Sequence, residues 1–372
     1  MARWVISMWM DLFGFVLPVV LALVIRAATS SYPAQHVPFF WAFFLETMID
    51  CAHVYATLYR TVFDSEAASQ NWRLYLLAAP GLFLVSSVVN LVVGPGVGWS
   101  LLAYYAWFHF AKQPLGLICL YKARYGERGA TEHKWDYWTC MGASGIPFLL
   151  WHAGAFGDFR WFSIDGDSDR RLFALPGICR GPLWVLYVLV PTLWLCRCAR
   201  SWMAGAPVNS GKLWIMAAHY FTWYMGMTTT LVHNMAFINL FHGLSSMVLV
   251  FYVVRRRYAA WRGRSPETMQ CRDRFCSAAV TSVWGYGLIV ALAAAEASLW
   301  DMLVDRQVSP TYGLSLPDLD QVHLAMVTSA LQTPQLAHYF LDSYIWKFTS
   351  QNPGLKEALL TPPSDTSEKK SS

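Results

Sequence analysis

The chain carries little charge. Of its 372 residues, 14% are Asp, Glu, Lys or Arg, whereas an average soluble domain has about a quarter. Hydrophobic residues make up 56% of the chain, and no stretch is polar enough for a separate soluble catalytic domain. This composition indicates a polytopic membrane protein. The net charge of +5 does not indicate a nucleic-acid partner, because the basic residues lie in loops that flank apolar segments.

The chain also lacks cysteine motifs. Its eight cysteines form no CxxC pair and no Cys/His spacing typical of a zinc site. Three cysteines fall inside apolar segments, and four fall in or beside loops that we place in the cytoplasm, where thiols stay reduced. Only Cys179 remains outside, so we expect no disulfide.

The apolar segments are long enough to cross a bilayer. We mark about ten, at 5–27, 38–60, 73–95, 98–121, 135–157, 181–203, 212–229, 231–254, 277–300 and 320–346. Basic residues concentrate in alternate loops, which by the positive-inside rule puts both termini in the cytoplasm. The predicted fold is an all-α membrane helix bundle, with one transmembrane domain over 1–350 and a disordered cytoplasmic tail over 351–372. We expect it in the bacterial cytoplasmic (inner) membrane.

Ionisable residues form a stripe in the second of these segments. Glu46, Asp50 and His53 are spaced i, i+4 and i+7, which puts them on one face of an α-helix. A second stripe, near the C-terminus, consists of Gln335, His338 and Asp342. Because ionisable groups inside a membrane are costly and face a partner, a metal or a cavity, both stripes indicate a functional site.

Five histidines from five segments lie at compatible depths. A rise of about 1.5 Å per residue puts His53, His219 and His338 about 10 to 14 Å from the cytoplasmic ends of their helices. His109 and His242 lie deeper, at about 18 to 20 Å. Helix packing alone does not require so many histidines at these levels.

Imidazoles and carboxylates on rigid helices are the ligands that a non-haem iron centre uses. The predicted metal ligands are Asp50, His53, His109, His219, His242, His338 and Asp342. Glu46 is predicted as a proton relay or a further ligand, and Gln113 as a hydrogen-bond partner or weak ligand near His109. The predicted function is a membrane oxidoreductase of the oxygenase or desaturase type in lipid metabolism, with one or two irons. Its partners would be the bilayer, an apolar substrate and an electron-donor protein.

Buried histidines and acids also have three alternative roles. A single histidine–carboxylate pair in a span can be a hydrogen bond between two helices, and aromatic neighbours favour a structural role for His219. His219 and His233, fourteen residues apart, suggest a haem-binding electron carrier as an alternative. A proton-coupled transporter would use the same acids and histidines, although no internal repeat supports it. Asp11 and Glu296 are expected to link helices.

Four blocks of the sequence carry a resemblance. They are DCAHVYATLYR (Asp50–Arg60), FHFAKQPLG (Phe108–Gly116), FINLFHG (Phe237–Gly243) and HYFLDSYIWK (His338–Lys347). The chain resembles, in these blocks, a family of histidine-rich multi-span bacterial membrane proteins to which we assign no activity. The resemblance implies that the four histidines of these blocks share one site with Asp342. The chain is only analogous to membrane-bound desaturases and hydroxylases, since their HxxxH and HxxHH boxes are absent.

Overall fold

The structure, a computed structural model, describes residues 4–31, 39–156, 159, 171–229, 231–261, 271–305, 318–352 and 354–361. Within these ranges it is all-helical and has no strand. The α-helices are α1 (Met8–Phe15), α2 (Leu17–Ala28), α3 (Phe39–Ala42), α4 (Ala52–Ala56), α5 (Ser65–Val93), α6 (Pro95–Tyr125), α7 (Ala130–His152), α8 (Arg180–Met203), α9 (Ser210–Thr228), α10 (Leu231–Asn239), α11 (Ser245–Trp261), α12 (Cys271–Val280), α13 (Val283–Trp300), α14 (Gln321–Ile345) and α15 (Leu355–Leu360). There are π-helices at Phe43–Cys51, Leu240–Leu244 and Asp301–Asp305, and 3₁₀-helices at Thr57–Arg60 and Gly177–Cys179.

Residue chemistry explains where the long helices begin and end. Asp64 caps α5, because its side chain accepts a hydrogen bond from the backbone N–H of Ala67. Gly94 ends that helix with φ at +87°, a conformation that L side chains rarely adopt. Pro95 then starts α6, where its missing N–H costs nothing. The chain therefore reverses sharply between α5 and α6.

Four helices are long and apolar enough to cross a membrane, namely Ser65–Val93, Gly177–Met203, His233–Tyr258 and Val283–Val304. The count rises to five if Met8–Phe15 and Leu17–Ala28, which meet at 40°, form one bent span. Each of the ten predicted segments lies on helix, but the prediction of ten spans is not confirmed. Helices such as α14 have lower hydropathy because they carry the polar residues of the stripes.

Helix α5 has its polarity inside out. Its apolar side chains are on the surface of the bundle, with Leu84 64% and Val92 76% exposed. Its Ser86 and Asn90 are buried against α14, where both reach the Gln332 side-chain oxygen, at 2.9 and 3.2 Å. An apolar outer face and a polar inner seam are what a helix surrounded by lipid requires, so the exposed face is compatible with insertion into a membrane.

The segment predicted as a disordered tail contains helix α15. Leu355 and Leu359 of this helix are buried in a hydrophobic cluster with Trp194 and Leu249. The remainder of the predicted tail, 362–372, lies outside the described residues.

Buried acidic groups tie the helices together. Asp11 accepts a hydrogen bond of 2.6 Å from the hydroxyl of Tyr121, and Glu296 accepts one of 2.6 Å from Tyr55. Both acids therefore link helices, as expected from the sequence.

Asp136 is the centre of a larger buried network at one end of the bundle. Its carboxylate accepts hydrogen bonds from Lys122 Nζ at 2.6 Å and Trp194 Nε1 at 2.7 Å. Lys212 Nζ lies 3.5 Å from the same carboxylate and 2.7 Å from Glu127. One carboxylate thus holds side chains from α6, α7, α8 and α9.

Replacing Asp136 with alanine should destabilise the protein strongly, because two buried lysines then lose their shared counter-charge. We expect a loss of about 3 to 5 kcal/mol. Glu132→Ala on the same helix is the matched control, since its pair with Arg197 is solvent-exposed and contributes at most about 1 kcal/mol. Unfolding of both variants in detergent measures this, and equal losses would contradict the network's role.

Candidate metal centre

Four histidines from distant parts of the chain meet inside the bundle. His53 comes from α4, His109 from α6, His242 from the π-helix Leu240–Leu244 and His338 from α14. One ligand nitrogen of each lies within 4.8 Å of the others. The side chains are between 1% and 8% exposed. Four imidazoles in this arrangement, which we call the histidine cluster, could hold a metal ion.

The nitrogens of three rings point at one another. His53 Nε2 lies 3.1 Å from His338 Nε2 and 3.0 Å from His242 Nε2. Two metal–imidazole bonds of about 2.1 Å at a right angle put their nitrogens about 3.0 Å apart, whereas tetrahedral bonds put them about 3.4 Å apart. The spacing therefore matches adjacent ligands of one ion. Without an ion, the single proton or lone pair on His53 Nε2 would have to serve two neighbours.

Two carboxylates flank the cluster. Asp50 Oδ1 lies 3.5 Å from Nδ1 of His53. Asp342 lies between two rings, with Oδ1 3.7 Å from His338 Nδ1 and Oδ2 4.0 Å from His109 Nε2. Carboxylates beside imidazoles fix ring orientation and balance the charge of a bound cation. Both acids are also near enough to become ligands after small side-chain movements.

Several buried polar atoms of the cluster have no hydrogen-bond partner within the described part of the chain. They are His53 Nδ1, His109 Nε2, His242 Nδ1 and Asp50 Oδ1. A buried polar atom without a partner costs about 1 to 3 kcal/mol. So many in one place would be expensive to keep, and a bound cation with its water ligands would satisfy them.

Two wide helical turns bring the histidines together. His53 follows the π-helix Phe43–Cys51 directly, and His242 lies inside another. The two turns pack closely at Gly243, where an added Cβ would lie 2.8 Å from the Ile49 side chain and 2.9 Å from its carbonyl oxygen. Only glycine fits there. π-helical turns are rare and are often found at functional sites.

Neighbouring side chains hold the rings in place. The Thr57 hydroxyl lies 2.6 Å from Nδ1 of His338. The Phe110 ring stacks on His242 with centroids 3.7 Å apart, and the Tyr339 ring lies 4.6 Å from that of His109. Sequence reasoning missed these contacts. The spacing of Thr57, four residues after His53, was the one available signal.

Gln113 lies beside the cluster but acts on the backbone. Its side-chain amide donates a hydrogen bond of 3.0 Å to the carbonyl oxygen of His242. This carbonyl belongs to the π-helix, where the usual i+4 donor is displaced. Gln113 thus stabilises the irregular turn that presents His242, and its amide nitrogen contacts no imidazole in the described residues.

Glu46 does not share the buried face of Asp50 and His53. Its side chain is exposed, that of Asp50 is 17% exposed and that of His53 is 1% exposed. The predicted stripe assumed 3.6 residues per turn, but this segment is π-helical, with i→i+5 hydrogen bonds and more residues per turn. Positions four apart therefore do not align.

His219 lies outside the histidine cluster. It is fully buried on α9, with its ring parallel to that of Phe241 at 6.2 Å and close to Trp223. His233 lies on a different helix, α10, where its Nε2 is 2.8 Å from the hydroxyl of Thr29. The two histidines paired in the haem interpretation therefore do not lie on one helix face.

No protein-family model, curated protein sequence or solved structure matches the chain. The class defined by the fold and the site is thus an all-helical protein, compatible with a membrane, with a buried four-histidine cluster able to hold a metal ion.

Metal binding should depend on the cluster and not on His219. We expect His53→Ala and His338→Ala to bind transition metal more than about tenfold more weakly, and Asp342→Asn to lose about ten- to hundredfold. His219→Ala is the matched control, since it removes an equally buried histidine and should keep wild-type affinity. Equilibrium dialysis of purified protein followed by elemental analysis measures this. Unchanged metal content in the first two variants would rule out the cluster as a metal site.

Proposed function

We propose that the protein is an integral-membrane non-haem iron oxidoreductase, of the oxygenase or desaturase type, that acts on a lipid or another apolar substrate. The observation that carries the proposal is the convergence of four buried imidazoles and two carboxylates inside a helical bundle with an apolar outer surface. Structural histidines are distributed singly, as His152 and His233 are, whereas these four point their nitrogens at a common centre.

The donor set favours iron. It consists of nitrogen and oxygen atoms only, and no cysteine belongs to the four-residue group. Zinc in structural sites prefers a tetrahedral set, while the 3.0 and 3.1 Å separations suit ligands at right angles. Histidines combined with carboxylates, with positions left open, are the ligands of non-haem iron oxygenases. Six candidate donors would serve one ion or two.

The residues around the ion have separate tasks in this proposal. Iron, when bound, would supply the redox chemistry. Thr57 and Asp342 orient His338, and Asp342 also balances charge near His109. Glu46, exposed on the same helical segment as Asp50, would pass protons between the bundle surface and the site. The aromatic rings of Phe110 and Tyr339 restrict movement of two ligands.

We further propose ten membrane spans with both termini in the cytoplasm, in the bacterial cytoplasmic membrane. Helix covers every predicted span, and the inside-out polarity of α5 suits a lipid environment. The Asp136 network and the buried pair between Arg257 and Asp64 involve residues flanking the loops that are rich in Lys and Arg. An electron-donor protein would approach this basic end.

Purified protein should contain about one or two irons per chain, without a haem absorbance band. We expect His53→Ala and His338→Ala to lose iron together, because each removes a ligand of one centre. Elemental analysis and the visible spectrum measure both. A Soret band would instead support a haem carrier, and absence of any metal in wild-type protein would favour a proton-coupled transporter. Either result overturns the iron proposal.

The proposed topology has its own test. A fluorescent protein fused to the C-terminus should fluoresce in bacterial cells, whereas alkaline phosphatase at the same position should be inactive, because both termini are cytoplasmic. The matched fusion after Thr29 should give the opposite pattern. Active phosphatase at the C-terminus would contradict the topology without affecting the metal proposal.

A further inference from the structure

A cavity of about 820 Å³ lies at the end of the bundle opposite to Asp136. Asp136 is near the start of α7, while the cavity is reached at the far ends of α7 and α9. It lies between elements that include α2, α8 and the start of α10. No residue of the histidine cluster lines it, so it is a separate site.

The cavity is apolar on several sides. Leu23, Phe156, Trp184 and Met227 line it, together with Phe159. Met227 is buried, and Leu23 is 40% exposed on the bundle surface. An aliphatic chain could therefore lie in the cavity and continue along the outside of the bundle.

One cation faces this cavity. The guanidinium of Arg26 has its hydrogen bond to a thioether, Met225 Sδ at 3.7 Å, and it has no carboxylate partner among the described residues. His233, which is buried, also lines the cavity, and its Nε2 lies 2.8 Å from the Thr29 hydroxyl. Elsewhere in the structure buried cations meet acids, as Lys122 does. Arg26 thus has charge available for an anion.

The hydroxyls at the rim have a defined polarity. Ser30 donates its proton to the carbonyl of Ala27 at 3.1 Å, Thr228 to Tyr224 at 2.7 Å and Thr229 to Met225 at 2.6 Å. Their oxygens are left to accept hydrogen bonds from a ligand. The rim therefore suits a headgroup that has an anion for Arg26 and hydroxyl donors of its own.

We propose that this cavity binds an anionic lipid with a polyol headgroup, such as a glycerol phosphodiester. The phosphate would pair with Arg26, the headgroup hydroxyls would donate to Ser30 and Thr229, and part of an acyl chain would lie against Phe156 and Trp184. Zwitterionic headgroups lack the net charge, and fatty acids lack the hydroxyls.

Native mass spectrometry of the full-length protein, released from detergent, tests this with four probes: phosphatidylglycerol, phosphatidylcholine, oleate and glycerol 3-phosphate. We expect phosphatidylglycerol to be retained in preference to the other three. Arg26→Gln should reduce this retention about tenfold, because a hydrogen-bonded charge pair is lost. Ala27→Trp, which fills the cavity from α2, should abolish it.

Arg171→Gln is the matched control. Its guanidinium lies at the same end of the bundle, donating to the Trp151 carbonyl at 3.3 Å, and it does not line the cavity. It should retain phosphatidylglycerol as the wild type does. Equal retention in Arg26→Gln and wild type, equal binding of phosphatidylcholine, or glycerol 3-phosphate bound as well as the lipid would each overturn the proposal. Metal content of the same samples keeps this result independent of the iron proposal.

Discussion

The cost of burying nitrogen and oxygen atoms in an apolar bundle determines the arrangement at its centre. An imidazole away from water needs a donor, an acceptor or a metal for each ring nitrogen. The histidine cluster concentrates this requirement, since the Nε2 atoms of His242 and His338 both lie within about a hydrogen bond's length of His53 Nε2 and other ring atoms remain unsatisfied among the described residues. Asp50, Asp342 and Thr57 meet part of it. The surrounding helices must therefore stay in register for the centre to persist.

The same constraint explains the division of the bundle into inner and outer parts. His233–Tyr258, which contains His242, has 72% of its most apolar stretch buried, against 22% for Ser65–Val93. A helix in the interior can present a polar ligand because other helices cover it. A peripheral helix such as α5 presents leucine and valine outward and keeps its serines and Asn90 against α14. Hydrophobicity thus separates inside from outside less well than it does in a soluble protein.

Sequence reasoning predicted the all-helical class and grouped His53, His109, His242 and His338 among its metal ligands. Depth along a helix is simple arithmetic, so levels were predictable. Rotation about the helix axis is not, and this is why His219 was included although its ring packs against Phe241. Periodicity arguments also assume regular turns. Nothing in the apolar run before His53 announces a π-helix, and so the exposed position of Glu46 was missed.

The wide turn before His53 gives the protein an unusual sensitivity to changes in chain length. Removing one residue from Phe43–Cys51 would let the segment relax to an ordinary α-helix and would rotate everything after it by about 100°. His53 would then face away from its three counterparts while hydrophobicity and helix content barely changed. In an alignment of related chains, single-residue gaps should therefore be rare in this segment and tolerated in the connecting loops.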